Sequence, residues 1–307
     1  MDAQVSFSPN SHHSPMDSAR LPQWLKRPLG GGPLYARTRG AVDSGRLHTI
    51  CEEARCPNRG ECWSRGTATF LILGDRCTRR CGFCSVKPGR PRGRVDGDEP
   101  RRLAEAVAHM RLGYVVLTSV NRDDLPDGGA AHFRDCIRAI RAAVPGIRIE
   151  LLTPDFRRCA DEALATLASE APLVWGHNVE TTPRLYAAVR PGSNYQHSLD
   201  LLRRVALLPG VAAKSSLMLG LGEREEEVLR VLDDLARVGI ERLTLGQYLR
   251  PTPAQLPVVE YVHPDRFHRL ADEARRRGIR WVMASPFTRS SYFAEAERPG
   301  GKAGIHA

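Results

Sequence analysis

Six of the eight cysteines fall between positions 51 and 84, in two triplets. Cys51, Cys56 and Cys62 are spaced C-x4-C-x5-C, and Cys77, Cys81 and Cys84 are spaced C-x3-C-x2-C. Thiols gathered this densely, in a chain with no apolar signal stretch at its start, read as metal ligands before they read as disulfides. Structural zinc takes four ligands, commonly in C-x2-C pairs, and the downstream triplet fits that pattern poorly. Three soft thiolates suit an iron–sulfur cluster, and on a four-iron cubane they leave one iron open to a further ligand. For the upstream triplet, spacing alone leaves a cluster, a zinc site and structural thiols as alternatives. Cys136 and Cys159 fall in predicted helices away from both triplets and read as small core residues.

Such a loop needs a mount. Cys77 closely follows an apolar, β-rich run at 68–73, and similar runs recur at 114–120, 148–152, 173–178, 213–219 and 242–248. Helical stretches are predicted at 100–111, 130–143, 157–168, 198–208, 223–238 and 264–277. Alternation of this kind implies parallel strands joined by helical crossovers. Runs as continuous as Tyr114-Val115-Val116-Leu117 suit strands buried on both faces. Six strand–helix pairs fall short of the eight of a closed barrel. The expected fold is therefore α/β, a partial (β/α)6 TIM-type barrel with an N-terminal cluster-binding extension and a short C-terminal extension; a doubly wound open sheet is the alternative. Either way, polar residues at the C-terminal strand ends line the site: Thr118, Ser119 and Asn121, then His177, Asn178 and Glu180, then Gln247 and Tyr248. Residues 1–45 read as a flexible leader that partly docks, 46–66 as the segment of the upstream triplet, 67–285 as the barrel and 286–307 as a C-terminal segment.

Composition sets the outer bounds. With 42% hydrophobic and 26% charged residues the chain matches an ordinary soluble globular protein. No apolar run approaches the length of a membrane span, so the expectation is a cytoplasmic protein with no membrane partner. The net charge of +10 favours an acidic partner, either nucleic acid or an acidic protein domain. The arginines are scattered, which free use of Arg by a high-GC genome explains equally well.

The aromatic Phe83 before Cys84 makes the downstream motif resemble the C-x3-C-x-aromatic-C signature of the radical S-adenosylmethionine (SAM) superfamily. Around it the resemblance narrows to the lipoyl synthase family. It is carried by His48-Thr49-Ile50-Cys51-Glu52-Glu53-Ala54-Arg55-Cys56-Pro57-Asn58, by the run from Gly66 to Asp75, and by the run from Leu117 to Gly129. His177-Asn178-Val179-Glu180, Arg190-Pro191-Gly192, Gly246-Gln247-Tyr248-Leu249-Arg250-Pro251-Thr252 and Arg289-Ser290-Ser291-Tyr292 continue it. The match covers roughly residues 20 to 300. Gly82, where the family more often has a larger residue, and Lys214-Ser215-Ser216 are small departures.

The resemblance implies two 4Fe–4S clusters. Cys77, Cys81 and Cys84 would hold the one that reductively cleaves SAM. Cys51, Cys56 and Cys62 would hold an auxiliary cluster whose fourth ligand is Ser291, with Ser290 as the alternative. Asn178, Glu180, Arg190 and the strand-end Thr118 are candidate SAM-binding residues, and Gly220 and Gly222 are places where backbone could approach the adenine. The implied reaction inserts two sulfur atoms into an octanoyl chain on a lysine of a lipoyl carrier domain. The carrier would be a 2-oxoacid dehydrogenase E2 or the glycine cleavage H protein, and a ferredoxin or flavodoxin would donate electrons. Two other readings compete: a methylthiotransferase-like two-cluster enzyme, against which the short upstream segment argues, and a non-catalytic iron–sulfur protein. The implied partners include no nucleic acid.

Overall fold

The computed structural model describes residues 21–27 and 30–294. The outer parts of the predicted leader (1–20) and of the C-terminal segment (295–307) lie outside the described residues.

One eight-stranded sheet forms the centre, ordered β1 (His48–Thr49), β2 (Thr69–Ile72), β5 (Tyr114–Ser119), β6 (Arg148–Leu152), β7 (Leu173–Gly176), β8 (Val211–Leu219), β9 (Arg242–Gln247) and β10 (Trp281–Ala284). Only β1 pairs antiparallel; every other neighbouring pair is parallel. A two-stranded ribbon, β3 (Arg76–Cys77) with β4 (Lys87–Pro88), stands beside it. The crossovers are α4 (Glu99–Met110), α5 (Ala130–Ala143), α6 (Ala160–Ala168), α7 (Tyr186–Val189) with α8 (Tyr195–Ala206), α9 (Glu225–Arg237) and α10 (Pro264–Arg276). This is the expected partial TIM-type barrel, extended by a seventh parallel strand. Trp281–Ala284 escapes sequence reading because it is a short edge strand, only Val282 of which is fully buried.

The helices form for local reasons and dock by their apolar stripes. In α9, Val228, Val231, Leu232 and Leu235 recur at helical spacing and all are buried. Asn194 caps α8 by accepting from His197 N at 2.9 Å, so that helix starts at Tyr195, earlier than the predicted 198. Conversely α6 starts at Ala160, because Phe156, at φ 44°, turns the chain just before the predicted start. Cys136 is fully buried in α5, whereas Cys159 sits at the start of α6 and is only partly covered.

Two segments for which the sequence predicts no helix or strand are ordered elements. The Gly30-Gly31-Gly32-Pro33 run is the N-terminal stop of a helix, α1 (Pro33–Ser44): Gly32 takes φ 93° and Pro33 occupies the first turn, where its missing N–H costs nothing. Thr38, Ala41 and Val42 bury this helix's inner face. The upstream cysteine segment folds as β1 followed by two short helices, α2 (Ile50–Glu53) and α3 (Arg59–Ser64).

At the barrel base, Lys214 from β8 donates to both carboxylate oxygens of Glu150 on β6 at 2.9 Å, and Tyr114 from β5 donates to the same carboxylate at 2.7 Å. All three are buried. Burial pulls the Lys214 ammonium down from its ordinary range, and Glu150 opposes that pull. Lys214 thus has a definite partner in the barrel floor.

Candidate active site at the barrel mouth

The downstream triplet sits on a loop that the barrel holds from several sides. β2 ends in a left-handed turn at Leu73 and Gly74, and Leu73 N donates to the buried carboxylate of Glu99 at 2.9 Å. Thr78 N then donates to Asn121 O (3.0 Å), and Thr78 Oγ1 donates to Asp123 (2.7 Å). Arg79, inside the cysteine motif, is buried. Its guanidinium grips Asp123 through Nε and Nη2, Asp155 through Nη2 at 3.2 Å, and Gly192 O through Nη1 at 2.7 Å. Hydrogen bonding from Arg79 holds the Asp123 carboxyl below its usual range. Cys77 Sγ accepts from the backbone N–H groups of Asn121 (3.3 Å) and Arg79 (3.4 Å). Gly82 is pinned between Val189 O and Leu256 N, each at 2.9 Å. A Cβ there would lie 2.7 Å from the Ala188 carbonyl oxygen, so in this chain a larger residue does not fit.

The upstream triplet is held differently. Thr49 caps α2 by accepting from Glu52 N, which places Cys51 in the buried first turn. Asn58 donates to Phe287 O at 2.7 Å, and Tyr292 donates to Glu61 at 2.9 Å. Arg27 completes a clasp, donating to Glu61 (2.9 Å) and to Tyr292 Oη (3.1 Å). The C-terminal segment reaches this position because residue 246 is glycine: any Cβ there would land on the Thr288 carbonyl oxygen. Ser291 Oγ accepts from Thr69 Oγ1 at 2.8 Å, and the backbone N–H of the same Thr69 favours the ionised form of the Cys51 thiol, against the larger effect of burial. One hydrogen bond joins the two cysteine segments directly, Ser85 Oγ to Glu53 O at 2.7 Å.

Both triplets open onto one cavity of about 330 Å³, which is also lined by Ser290, Ser291, Thr118, Asn178, Glu180 and Arg190. The six cysteines and the candidates Thr118, Asn178, Glu180, Arg190, Ser290 and Ser291 thus share one cavity wall. Within the triplets the thiols feel one another: Cys56 raises Cys51, and Cys81 and Cys77 raise Cys84. Burial is the larger cause, pushing Cys51 and Cys84 up to about 12 and Cys81 to about 11. Loading either triplet with metal therefore has to release protons. Among the described residues no three His, Cys, Asp or Glu side chains are grouped to hold a single metal ion.

Beyond the thiols the wall is polar and incompletely satisfied. Asn178 donates to Glu180 at 3.0 Å, and Glu180 takes φ 67°, a left-handed geometry that costs energy for a non-glycine residue. Burial raises the Glu180 carboxyl, and Arg190 opposes the rise. Arg190 Nη1 donates to Asn178 O and to Tyr186 Oη, each at 2.8 Å. Asn178 Oδ1 and Ser119 Oγ are buried on the cavity wall with no hydrogen-bond partner in the protein. Orphaned polar atoms of this kind are expected where a polar ligand binds. Six cysteine thiols in two triplets, with these unsatisfied groups between strand ends, fit iron–sulfur and SAM binding.

Gly220 and Gly222 do not line the cavity. Gly220, at φ 98°, makes room instead for Gln247 Nε2 and Glu260 O. Sequence reasoning missed the Arg79–Asp123–Asp155 clamp, the Thr69 bridge and the Arg27–Glu61–Tyr292 clasp. An arginine placed inside a cysteine motif was the available signal for the first. The other two join residues more than two hundred positions apart and left none.

No helix among the described residues is long and apolar enough to cross a membrane. Residues 71–235 match the radical SAM superfamily, and residues 3–56 match the N-terminal domain of lipoyl synthase of the radical SAM family. The chain is 51% identical to the lipoyl synthase of Thiobacillus denitrificans over 94% of its own length and 93% of that protein's. It is 52% identical to that of Pseudomonas putida over 91% of this chain and 82% of the relative. Among solved structures, Streptococcus suis SuiB bound to S-adenosylmethionine superposes with a TM-score of 0.56 at 13% identity, covering 79% of this chain and 58% of SuiB. Methylornithine synthase superposes at 0.51 and 13% identity, covering 81% and 77%. These structures share the fold, whereas the closer sequence relatives share most of the chain, and on that ground this protein belongs to the lipoyl synthase family of radical SAM enzymes.

Proposed function

We propose that the chain inserts two sulfur atoms into the octanoyl group of an octanoyl-lysyl lipoyl carrier domain, with an auxiliary 4Fe–4S cluster on Cys51, Cys56, Cys62 and Ser291 as the sulfur source. The observation that carries this reading is the junction at Thr69, whose hydroxyl donates to Ser291 and whose backbone N–H favours the Cys51 thiolate. It supports an oxygen donor of the C-terminal segment as the fourth partner of the upstream triplet. Ser290 lines the same cavity, but Ser291 is the one tied to Thr69. An oxygen among three thiolates is a mismatched, labile ligand, suited to a cluster that gives up sulfide.

When bound, the cofactors supply a 5′-deoxyadenosyl radical, able to take hydrogen from unactivated C–H bonds, and a sulfide to fill the carbon valence. Cys77, Cys81 and Cys84 would hold the first cluster and leave one iron to the amino and carboxylate groups of SAM. Asn178 and Glu180 at the end of β7, Thr118 on β5 and Arg190 would hold the rest of that molecule. The left-handed turn at Glu180 aims its side chain, and the bonds from Arg190 to Asn178 O and Tyr186 Oη fix the turn. Val116, Leu71 and Leu217 give the wall an apolar stretch that keeps water from the acyl chain. The carrier would be a 2-oxoacid dehydrogenase E2 or a glycine cleavage H protein, with a ferredoxin or flavodoxin as the electron donor, in the cytoplasm.

The test is anaerobic turnover of an octanoyl-lysyl peptide with SAM and a reductant, followed by mass spectrometry. Gain of two sulfurs with no net change in hydrogen, the dithiol product under reductant, is the expected result; oxidation of that product to the cyclic disulfide then removes two hydrogens. SAM cleavage with an unmodified peptide would keep the radical chemistry and refute the substrate.

A further inference from the structure

Arginines on the outer shell come in two kinds. On the helices most are paired, such as Arg101 with Asp98 and Glu105, Arg138 with Glu170, Arg275 with Asp272, and Arg277 with Asp233 and Glu273. On the loop that follows the radical-motif cysteines they are not. Arg80, Arg90, Arg92 and Arg94 are exposed, and none has an ion-pair partner among the described residues. The run Lys87-Pro88-Gly89-Arg90-Pro91-Arg92-Gly93-Arg94 carries four cations and no acid.

Lys87 pairs with Asp75 at 2.9 Å, whereas the three arginines stand apart from the protein's own carboxylates. Gly89 N donates to Cys77 O at 2.8 Å, Gly93 N donates to Asp124 at 2.7 Å, and Arg122 donates to Arg94 O at 2.8 Å. Pro88 and Pro91 stiffen the run, and Arg92 and Gly93 turn it through two left-handed conformations, φ 56° and 73°. The loop is pinned by its main chain while its guanidinium groups stand in solvent. Unpaired like charges on a pinned loop repel one another and are relieved only by an external anion. Val95, 41% exposed, adds an apolar contact beside them. The position is also specific. Gly89 is bonded to a cysteine of the radical motif, and the exposed Arg55 of the upstream triplet lies on the cavity wall itself.

We propose that loop 87–95, with Arg55 and Arg80, is the docking surface for an acidic face of the folded domain that carries the acyl-lysine. The inference rests on the function proposed above. A 330 Å³ cavity admits an extended acyl-lysyl arm, so the domain bearing the arm must be held at the rim. Residues 87–95 contain no aromatic side chain on which bases could stack, which favours an acidic protein over a single-stranded nucleic acid. Electrostatic docking of this kind acts on encounter and on KM and leaves the chemical step alone.

The test compares the cluster-loaded wild type with the triple variant Arg90→Glu, Arg92→Glu, Arg94→Glu on two substrates. One is an octanoylated, acidic, folded lipoyl carrier domain; the other is a short octanoyl-lysyl peptide with uncharged flanks. The variant should show a KM for the domain raised by roughly tenfold or more at low salt, with kcat unchanged and the wild type's salt dependence lost. Its turnover of the peptide should equal that of the wild type, which also establishes that the variant is folded and loaded. The matching Gln triple should fall between the two. If both proteins convert both substrates with the same KM for the domain, the docking surface is refuted while the function stands. If the variant instead loses binding to a mixed RNA oligonucleotide with its domain KM unchanged, the loop serves nucleic acid and the proposal is wrong. A wild type that converts neither substrate refutes the function and this proposal together.

Discussion

The two cysteine triplets face the same cavity, yet the molecule holds them in opposite ways. Cys77, Cys81 and Cys84 are mounted on the barrel: the intervening Arg79 is buried between carboxylates from the loops after β5 and β6, and Gly82 is wedged against α7 and the loop after β9. Cys51, Cys56 and Cys62 lie at the sheet's antiparallel edge, held by a clasp of Arg27, Glu61 and Tyr292 that joins segments from both ends of the chain. A centre that cleaves a cofactor repeatedly needs fixed geometry, which a rigid scaffold supplies. On the function proposed above, the upstream centre surrenders atoms, and such a centre can sit on a clasp, where opening leaves the core intact.

The sharpest way to break this contrast is to empty each triplet in turn. Replacing Cys77, Cys81 and Cys84 with Ala should abolish SAM cleavage altogether, read as loss of 5′-deoxyadenosine, and remove about half of the bound iron. Replacing Ser291 with Ala should come next, lowering sulfur insertion by roughly tenfold to a hundredfold, the range for losing a group that supports a metal site. SAM cleavage should persist in that variant, and Ser290→Ala should stay within about threefold of wild type. Equal losses from the two serines would remove the argument from the Thr69 bond.

Smaller effects should appear in stability. Arg79→Met leaves Asp155 buried without its charge partner and should destabilise the barrel by about 3 kcal/mol in denaturant titration. Asp123 has a folded-state pKa below its unfolded value, so its contribution is complete above the unfolded carboxylate range. That contribution fades as pH falls through the depressed folded value. Asp123→Asn should therefore be less stable than wild type at neutral pH and should converge with it in acid. Tyr292→Phe removes the clasp hydrogen bond to Glu61 and should cost about 1 kcal/mol, with hydrogen exchange quickening around residues 56–64 and not in β5 or β6. Uniform exchange changes would mean that the clasp is no weaker a mount than the barrel.

How much of this was legible beforehand follows the same division. Parallel strands buried on both faces announce themselves as apolar runs, so β5, β6, β7, β8 and β9 are readable to within about two residues, and the strand-end residues Thr118, Asn178 and Glu180 come with them. Edge elements are not readable: β1 has two residues, and β10 is mostly half-exposed. Helix α1 hides behind three glycines that look like a linker but only precede its N-terminus. The site divides likewise. Cysteine spacing carries both triplets, but the union of Ser291 with Cys51 passes through Thr69, a bond spanning 222 positions that no local pattern encodes. The Arg79 clamp lies between the two, with its arginine visible inside the motif and its carboxylates placed only by the folded loops.

The most direct test of the account uses the variant in which Cys51, Cys56 and Cys62 are all Ala, reconstituted beside the wild type with isotopically heavy sulfide and given SAM, reductant and an octanoyl-lysyl peptide. The wild type should place two heavy sulfurs in the peptide, while the variant should still cleave SAM and release 5′-deoxyadenosine with no sulfur in the peptide. Heavy sulfur in the peptide made by the variant would contradict the assignment of the upstream triplet as the sulfur source.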